Sequence, residues 1–219
     1  MRPVSTAETL RVGARLAGTR VEGPAARYAL WVQGCSIRCP GCCNPHLFEG
    51  AGGQAVGVDT LMAEIRGARP AIEGVTFLGG EPFEQAAPLA RLAAGARELG
   101  LSVMVFSGYT LEELQARTDA GTVGLLRSTD VLVDGRYDAA RPERRRLWVG
   151  SENQRFHYLS DRYSPDIELP VDGAPLREVE VRIDADGAIH SNGWPVWPAK
   201  VRGVALKRGR LLPSNAPRA

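Results

Sequence analysis

Residues 28–43 have the sequence YALWVQGCSIRCPGCC, an apolar run that ends at Gly34 and is followed at once by four cysteines. The run from Tyr28 to Gln33 is short and aromatic, so it predicts a buried strand that leads into a cysteine-containing loop. A disulfide scaffold would spread its cysteines along the chain to close long loops. Four thiols within nine residues indicate a metal site instead.

The spacing Cys35-x3-Cys39-x2-Cys42 supplies three thiolates within eight residues. A cubane iron–sulfur cluster has four irons, each of which normally takes one protein thiolate, so three thiolates leave one iron open. An open iron is a binding site, and it can accept the amino and carboxylate groups of a methionine-like ligand. Spacing alone leaves two alternatives, a four-thiolate zinc site that uses Cys43 or a redox dithiol at Cys39 and Cys42.

Strand and helix patterns alternate after the cysteines. The predicted strands are Gly74–Leu78, Leu101–Phe106 and Asp130–Val133. The predicted helices run from an N-cap at Asp59 to Gly67, from Gln85 to Leu99 before a stop at Gly100, and onward from an N-cap at Thr110. Residues 50–57 predict only a flexible, glycine-rich connector. Buried strands that alternate with helices predict a parallel sheet with helical crossovers.

Polar and glycine-rich motifs follow the predicted strands. They are the cysteine loop, Gly79-Gly80-Glu81-Pro82, Ser107-Gly108 and Asp134. In parallel α/β sheets the functional site lies at the carboxyl ends of the strands. We therefore expect these motifs to converge on one mouth of the sheet.

The last part of the chain has a different pattern. Glu178–Ile183 alternates as a strand does, Asp186-Gly187 supplies a turn, and Ala188–Asn192 returns as a second strand. We interpret residues 165–205 as an appended β element and residues 208–219 as a frayed terminus. The prediction is a main domain over residues 1–164 and a C-terminal β-hairpin extension with its tail over residues 165–219.

Composition excludes several classes of protein. The chain is 44% hydrophobic and 24% charged, as is ordinary for globular proteins, and its net charge is only +2. That charge favours neither nucleic acid nor an acidic membrane as a partner. No apolar run approaches the roughly 18 residues that span a bilayer, and the first residues do not resemble a signal peptide. We expect a cytoplasmic protein, since thiols stay reduced there.

The stretch Gly34-Cys35-x3-Cys39-Pro40-Gly41-Cys42 resembles the cluster motif of the radical S-adenosylmethionine superfamily. It is most similar to the activating enzymes of anaerobic (class III) ribonucleotide reductase. Further segments match in order and approximate spacing, namely Gly23-Pro24 with Arg27, Asn44, and residues 79–82, 107–110, 131–136 and 148–154. The resemblance implies an α/β fold, an incomplete (partial) TIM-type barrel with parallel strands, here followed by the short C-terminal β extension.

The resemblance also implies the chemistry. A [4Fe–4S] cluster on Cys35, Cys39 and Cys42 would pass one electron to S-adenosyl-L-methionine, which breaks into methionine and a 5′-deoxyadenosyl radical. That radical abstracts a hydrogen from a backbone glycine of a protein partner, a glycyl-radical enzyme. A flavodoxin- or ferredoxin-type reductant is the expected electron source. The residues expected to contact the bound S-adenosyl-L-methionine are Gly79, Gly80, Glu81, Ser107, Asp134, Arg136, Asn153 and Gln154.

Two other functions stay open at this point. The first is a radical enzyme that modifies a small molecule or peptide directly, and the second is an iron–sulfur electron carrier or zinc module. Cys43 stands where relatives often have an aromatic residue, and we expect it to pack as a small apolar group. Four arginines between residues 141 and 146 predict either a solvated loop or a docking surface for an acidic partner.

Overall fold

A computed structural model describes residues 8–171, 178–183 and 189–193 of the 219-residue chain. Within these ranges the strands are β1 (Thr9–Thr19), β2 (Arg27–Val32), β3 (Gln54–Gly57), β4 (Gly74–Gly79), β5 (Ser102–Phe106), β6 (Val131–Asp134), β7 (Arg155–Tyr158), β8 (Val179–Ile183) and β9 (Ile189–Gly193). The α-helices are α1 (Val58–Ala68), α2 (Ala86–Glu98), α3 (Leu111–Gln115) and α4 (Ala120–Ser128). None of these helices is long and apolar enough to cross a membrane.

The first seven strands form one sheet in the order β3-β1-β2-β4-β5-β6-β7. Its centre, β2-β4-β5-β6, is parallel throughout, so the predicted parallel α/β core is confirmed. The cysteine loop leaves the carboxyl end of β2. The motifs that begin at Gly79 and Ser107 leave the ends of the next two strands in the sheet.

Three flanking strands were not predicted from the sequence. β1 and β3 pair antiparallel with each other and extend the sheet beyond β2, and β7 pairs antiparallel with β6. The interpretation of residues 50–57 as a connector was therefore wrong, because residues 54–57 are a strand. Such strands lie toward the edges of the sheet and carry polar side chains, so they lack the continuous apolar run that identifies a buried parallel strand.

The two faces of the sheet have different surroundings. On β2, Tyr28, Leu30 and Val32 belong to the main core that the helices complete. Their neighbours Ala29 and Trp31 point to the opposite face, where they pack with Leu47 and Leu78. This alternation follows from the two-residue period of a strand, and it decides which side chains face the helices and which face the opposite side of the sheet.

Helix ends follow the predicted signals at two positions and depart from them at a third. Thr110 caps α3 through a capping box with Glu113, and Gly100 follows α2 with φ of 79°. Asp59 is not an N-cap, which corrects the sequence-based expectation. α1 begins at Val58, one residue earlier, and the Asp59 carboxylate in its first turn pairs with Arg91 at 3.2 Å.

The predicted C-terminal hairpin is present, since β8 and β9 pair antiparallel over residues 179–193. Its turn at residues 184–188 and the tail from residue 194 lie outside the described residues. The hairpin contacts the end of β1 and the turn that follows. The Thr19 hydroxyl donates to Glu180 at 2.7 Å, the Asn192 amide donates to Thr19 at 2.8 Å, and the Gly193 N–H donates to Glu22 at 2.8 Å.

Arg27 holds together the other end of the sheet, where the parallel strands begin. Its side chain is fully buried and donates to Thr76 at 2.7 Å and to Glu73 and Ser102 at 2.8 Å. Tyr163 closes the network by bonding to both Glu73 and Ser102. A buried guanidinium is stable only when its donors are satisfied, so these partners must assemble together with it.

Replacing Arg27 with methionine is expected to lower the free energy of unfolding by about 3 kcal/mol, because the buried Thr76 hydroxyl and Val75 carbonyl lose a donor and Glu73 loses an ion-pair partner. Urea denaturation measures this loss. Arg66→Met, at an exposed position of α1, is the matched control and should change stability by no more than about 0.5 kcal/mol. Equal stability of the two variants would contradict a structural role for the Arg27 network.

Candidate functional site

The cysteine loop is closed at its base by backbone hydrogen bonds. Gly34 N–H donates to Leu47 O at 2.8 Å, and Cys35 N–H donates to Phe48 O at 3.1 Å. The Gln33 side chain adds a bond to Glu49 O at 2.8 Å. These bonds bring the two ends of the loop together at the end of β2, so the cysteines lie on a closed loop with a fixed base.

The loop after β4 packs directly against the base of the cysteine loop. Gly80 N–H donates to Val32 O at 2.8 Å, and Glu81 N–H donates to Gly34 O at 2.8 Å. A Cβ atom on Gly80 would lie 2.2 Å from Gly34 O, a distance that no side chain tolerates. Gly79 has φ of 106°, in the region that favours glycine. The predicted convergence of these two motifs is therefore seen, and it requires glycine.

Glu81 joins the ends of β4 and β5. Its buried carboxyl group accepts hydrogen bonds from Ser107 Oγ at 2.9 Å, from Gly108 N–H at 2.8 Å and from Phe83 N–H at 3.0 Å. Burial raises the pKa of Glu81 to about 7, and these hydrogen bonds only partly oppose that rise. The Ser107 hydroxyl also accepts from Tyr109 N–H at 3.0 Å, so it is engaged on both sides.

All four cysteines are free thiols, and Cys35, Cys39 and Cys42 are half-buried while Cys43 is exposed. The hydrogen bond from the Cys43 thiol lowers the pKa of Cys42 to about 6, and Asn44 N–H also donates to Cys42 Sγ at 3.4 Å. Burial raises the pKa of Cys35. Within the described residues, no three His, Cys, Asp or Glu side chains are grouped as ligands of a single metal ion.

Glu84 was not singled out from the sequence, although it tethers the cysteine loop. One carboxylate oxygen of Glu84 accepts from Ser36 N–H at 2.9 Å and also from the Ser36 hydroxyl. The Tyr109 hydroxyl lies 3.5 Å from the same oxygen. A single carboxylate thus connects the loops that follow β2, β4 and β5. Only its position three residues after Glu81 could have indicated this role.

Asp134 lies at the end of β6 but points to the helical side of the sheet, as Leu132 does. Its fully buried carboxylate accepts from Leu111 N–H at 2.6 Å, pairs with Arg155 at 2.7 Å and has His157 Nε2 at 2.8 Å. Burial opposes ionisation, but the bonds from Arg155 and Leu111 outweigh it and lower the pKa of Asp134. The Asp134 carboxylate therefore joins β6 to the start of α3 and to β7.

The remaining predicted residues hold the loops after β6. Arg136 pairs with both carboxylate oxygens of Glu113 at 3.1 Å. Gln154 accepts from Gly150 N–H at 2.8 Å and donates to Gly135 O at 3.3 Å. Asn153 donates to Arg136 O at 2.7 Å, while its buried Oδ1 has no hydrogen-bond donor among the described residues. Ligand contacts for these three residues stay predictions.

The raised pKa of Glu81 makes stability depend on pH. The group is protonated in the folded protein and ionised in the unfolded chain between the ordinary value of 4.5 and about 7. Unfolding then releases a proton, so the free energy of unfolding should fall by about 3 kcal/mol as pH rises through that interval.

Glu81→Gln removes this titration, and the comparison is between the two proteins because other groups titrate in both. Urea unfolding across that pH interval should show the wild type losing stability relative to the variant. A difference that stays flat or grows with pH would contradict a protonated, buried Glu81.

Comparisons with known proteins agree with this geometry. A family profile described as a 4Fe-4S single cluster domain matches residues 21–157. The anaerobic ribonucleoside-triphosphate reductase-activating protein of Salmonella typhimurium is 34% identical over 146 residues, which are 64% of this chain and 92% of that protein. The protein of the same name from Enterobacteria phage T4 is 30% identical over 147 residues, 64% of this chain and 89% of that protein.

A 7-carboxy-7-deazaguanine synthase from Hyperthermus butylicus is 36% identical over 99 residues, but that match covers only 44% of this chain and 41% of the synthase. The activating proteins match over almost their whole length, and the profile spans the cysteine loop and the motifs at the ends of β4, β5 and β6. The chain therefore belongs to the radical S-adenosylmethionine family, among the activating proteins of anaerobic ribonucleoside-triphosphate reductase.

Proposed function

We propose that this protein holds a [4Fe–4S] cluster on Cys35, Cys39 and Cys42, cleaves S-adenosyl-L-methionine reductively, and so activates an anaerobic ribonucleotide reductase. The observation that carries the proposal is the cysteine loop fixed against Gly79-Gly80-Glu81 within the region that matches the family. A site built by backbone hydrogen bonds keeps its position when a ligand arrives.

The donor set fits the cluster. Three free, half-buried thiols lie on one loop, and the lowered pKa of Cys42 favours the thiolate, the form that binds iron. The chain reverses between the cysteines at Arg38 and Gly41, which have φ of 49° and 78°. Such turns allow thiolates close in sequence to reach one cluster. Cys43 is left as a neighbour that donates its hydrogen bond to Cys42.

When bound, the cluster supplies one electron to the sulfonium, which yields methionine and a 5′-deoxyadenosyl radical. The protein supplies positioning for that step. The backbone of Gly79 and Gly80 forms the edge next to the cysteine loop, where carbonyl groups can accept from the amino group of the ligand. Glu81 and Ser107 hold the ends of β4 and β5 beside it.

The same proposal includes the barrel fold, the two protein partners and the cellular location. The sheet serves as an incomplete TIM-type barrel, with the radical formed at the carboxyl ends of its parallel strands. A glycyl-radical enzyme donates the hydrogen, and a flavodoxin- or ferredoxin-type protein provides the electron. The three cysteines must stay reduced to bind a cluster, which favours the cytoplasm as its location.

A second candidate is a radical enzyme that acts directly on a small molecule. The partial match to the 7-carboxy-7-deazaguanine synthase favours it, since that protein shares a segment of 99 residues with this chain. The two candidates share the cofactor chemistry and differ in the hydrogen donor. Deuterium transfer from a glycine-labelled reductase into 5′-deoxyadenosine would support activation, and its absence in the presence of product would favour the second candidate.

Anaerobic reconstitution with iron and sulfide, followed by dithionite and S-adenosyl-L-methionine, is expected to release 5′-deoxyadenosine, measured by chromatography. Cys39→Ala should abolish the product because one iron loses its thiolate. Cys43→Ala is the matched control, and it should retain both cluster absorbance and product. Loss of the cluster in Cys43→Ala would show that the ligand set is wrong.

A further inference from the structure

The connection between β6 and β7 includes residues 141–146, which we call the arginine loop. One buried carboxylate, that of Glu143, binds the backbone of this loop. Glu143 accepts from the N–H groups of Arg144, Arg145 and Arg146 at 2.9, 2.8 and 3.2 Å, and from the Arg146 guanidinium. Burial opposes ionisation of Glu143, but these bonds outweigh it and lower its pKa to about 2. The carboxylate is therefore charged, and it fixes three consecutive arginines in one turn.

The arginine loop is also fixed to residues 150–154, the segment that leads into β7. Glu143 N–H donates to Gly150 O at 3.1 Å, and Glu152 N–H donates to Arg141 O at 2.8 Å. The Arg146 guanidinium donates to Gln154 O at 2.9 Å. A backbone restrained in this way has less conformational entropy to lose on binding.

Arg144 and Arg145 are exposed residues of the arginine loop. Both side chains extend from the turn into solvent, and no carboxylate of the described residues forms an ion pair with either. Arg141, also exposed, is partly neutralised by Asp138 at 2.9 Å.

The segment that leads into the arginine loop touches the cysteine loop. A Cβ atom on Gly41 would lie 3.4 Å from the ring of Tyr137 and 3.5 Å from Cβ of Ala139. The exposed Arg144 and Arg145 thus follow, in the same connection between β6 and β7, a segment that contacts the cysteine loop, and the proposed cluster ligands on that loop are themselves partly exposed.

We infer that the arginine loop is the docking surface for an acidic one-electron donor protein of the flavodoxin type, which reduces the cluster from this side. The inference rests on the proposed function. It adds where the electron donor binds and that the donor surface is acidic. The donor is oxidised by one electron and the bound cluster is reduced by that electron, with no bond or proton transferred. Exposed cations on the connection that contacts the cysteine loop both steer an acidic donor and orient it.

The test compares two double variants of the reconstituted protein that carry the same charge change. Arg144→Glu with Arg145→Glu alters the arginine loop. Arg66→Glu with Arg127→Glu alters exposed arginines in the last turns of α1 and α4. Those helices lead into the beginnings of β4 and β6, so the control lies at the opposite edge of the sheet. Each Arg→Glu change lowers the charge by two, so both variants go from +2 to −2.

Two readouts use a purified acidic flavodoxin as the probe. Calorimetric titration of its oxidised form measures binding without turnover, and stopped-flow absorbance with its reduced form measures electron transfer to the cluster. The arginine-loop variant should lose roughly tenfold or more in affinity and in second-order rate. The deficit should shrink with added salt, because exposed charges are screened. The control variant should stay close to the wild type.

Equal losses in the two variants, or none in either, would overturn the inference. So would a loss of binding to the reductase partner with flavodoxin binding intact, because the surface would then belong to the radical acceptor. Dithionite separates this inference from the proposed function, since it needs no docking site. Failure of product with dithionite in the wild type would remove the proposed function, while the calorimetric titration would still decide whether the arginine loop binds the donor.

Discussion

The close approach of two backbones at the carboxyl edge of the sheet is the constraint on which the site depends. Gly80 and Glu81 donate to Val32 and Gly34, and the carbonyl of Gly34 occupies the space where a side chain of Gly80 would be. Parallel neighbours bring the ends of β2 and β4 to one edge, but contact at this distance needs glycine on one side. Once this contact forms, the cysteine loop has a fixed base, and the loops after β4 and β5 can be tied to it.

Carboxyl groups hold the loops at this edge of the sheet in place, and they do so by accepting hydrogen bonds from backbone N–H groups. Glu81 receives two of them, Glu143 receives three, and Asp134 receives one at the start of α3. Loops at the ends of strands leave such donors unpaired, and a buried carboxyl group satisfies several at once. This explains why side chains expected to contact the ligand are already bonded within the protein. Their positions at strand ends serve first to build the mouth, and the backbone is left as the surface that faces the cysteines.

The sequence predicted the centre of the fold and the meeting of its motifs, because buried parallel strands have continuous apolar runs and their ends share one edge. It did not predict β1, whose arginines and glycines interrupt any such run, or β3, which is only four residues long. For Asp134, topology placed the residue at the right edge, but its side chain points to the helices because strand residues alternate between faces. Glu84 and Glu143 were missed for a related reason: a carboxylate that binds backbone N–H groups has no sequence pattern beyond its position in a turn.

Two features of the chain, the C-terminal hairpin and the arginine loop, attach to different parts of the sheet. The family profile ends at residue 157, before the β8-β9 hairpin, yet the hairpin bonds to Thr19 and Glu22 at the turn between β1 and β2. The arginine loop lies within the matched region, between β6 and β7, next to the segment that contacts the cysteine loop. β1 and β7 are separated by the four parallel strands, so the hairpin and the arginine loop are held by opposite sides of the sheet. The proposed function requires an electron and a hydrogen atom to reach one site, and two separate attachments leave each exchange its own approach. The proposed electron donor needs proximity to the cysteine loop, whose cluster ligands are partly exposed and which contacts the segment leading into the arginine loop.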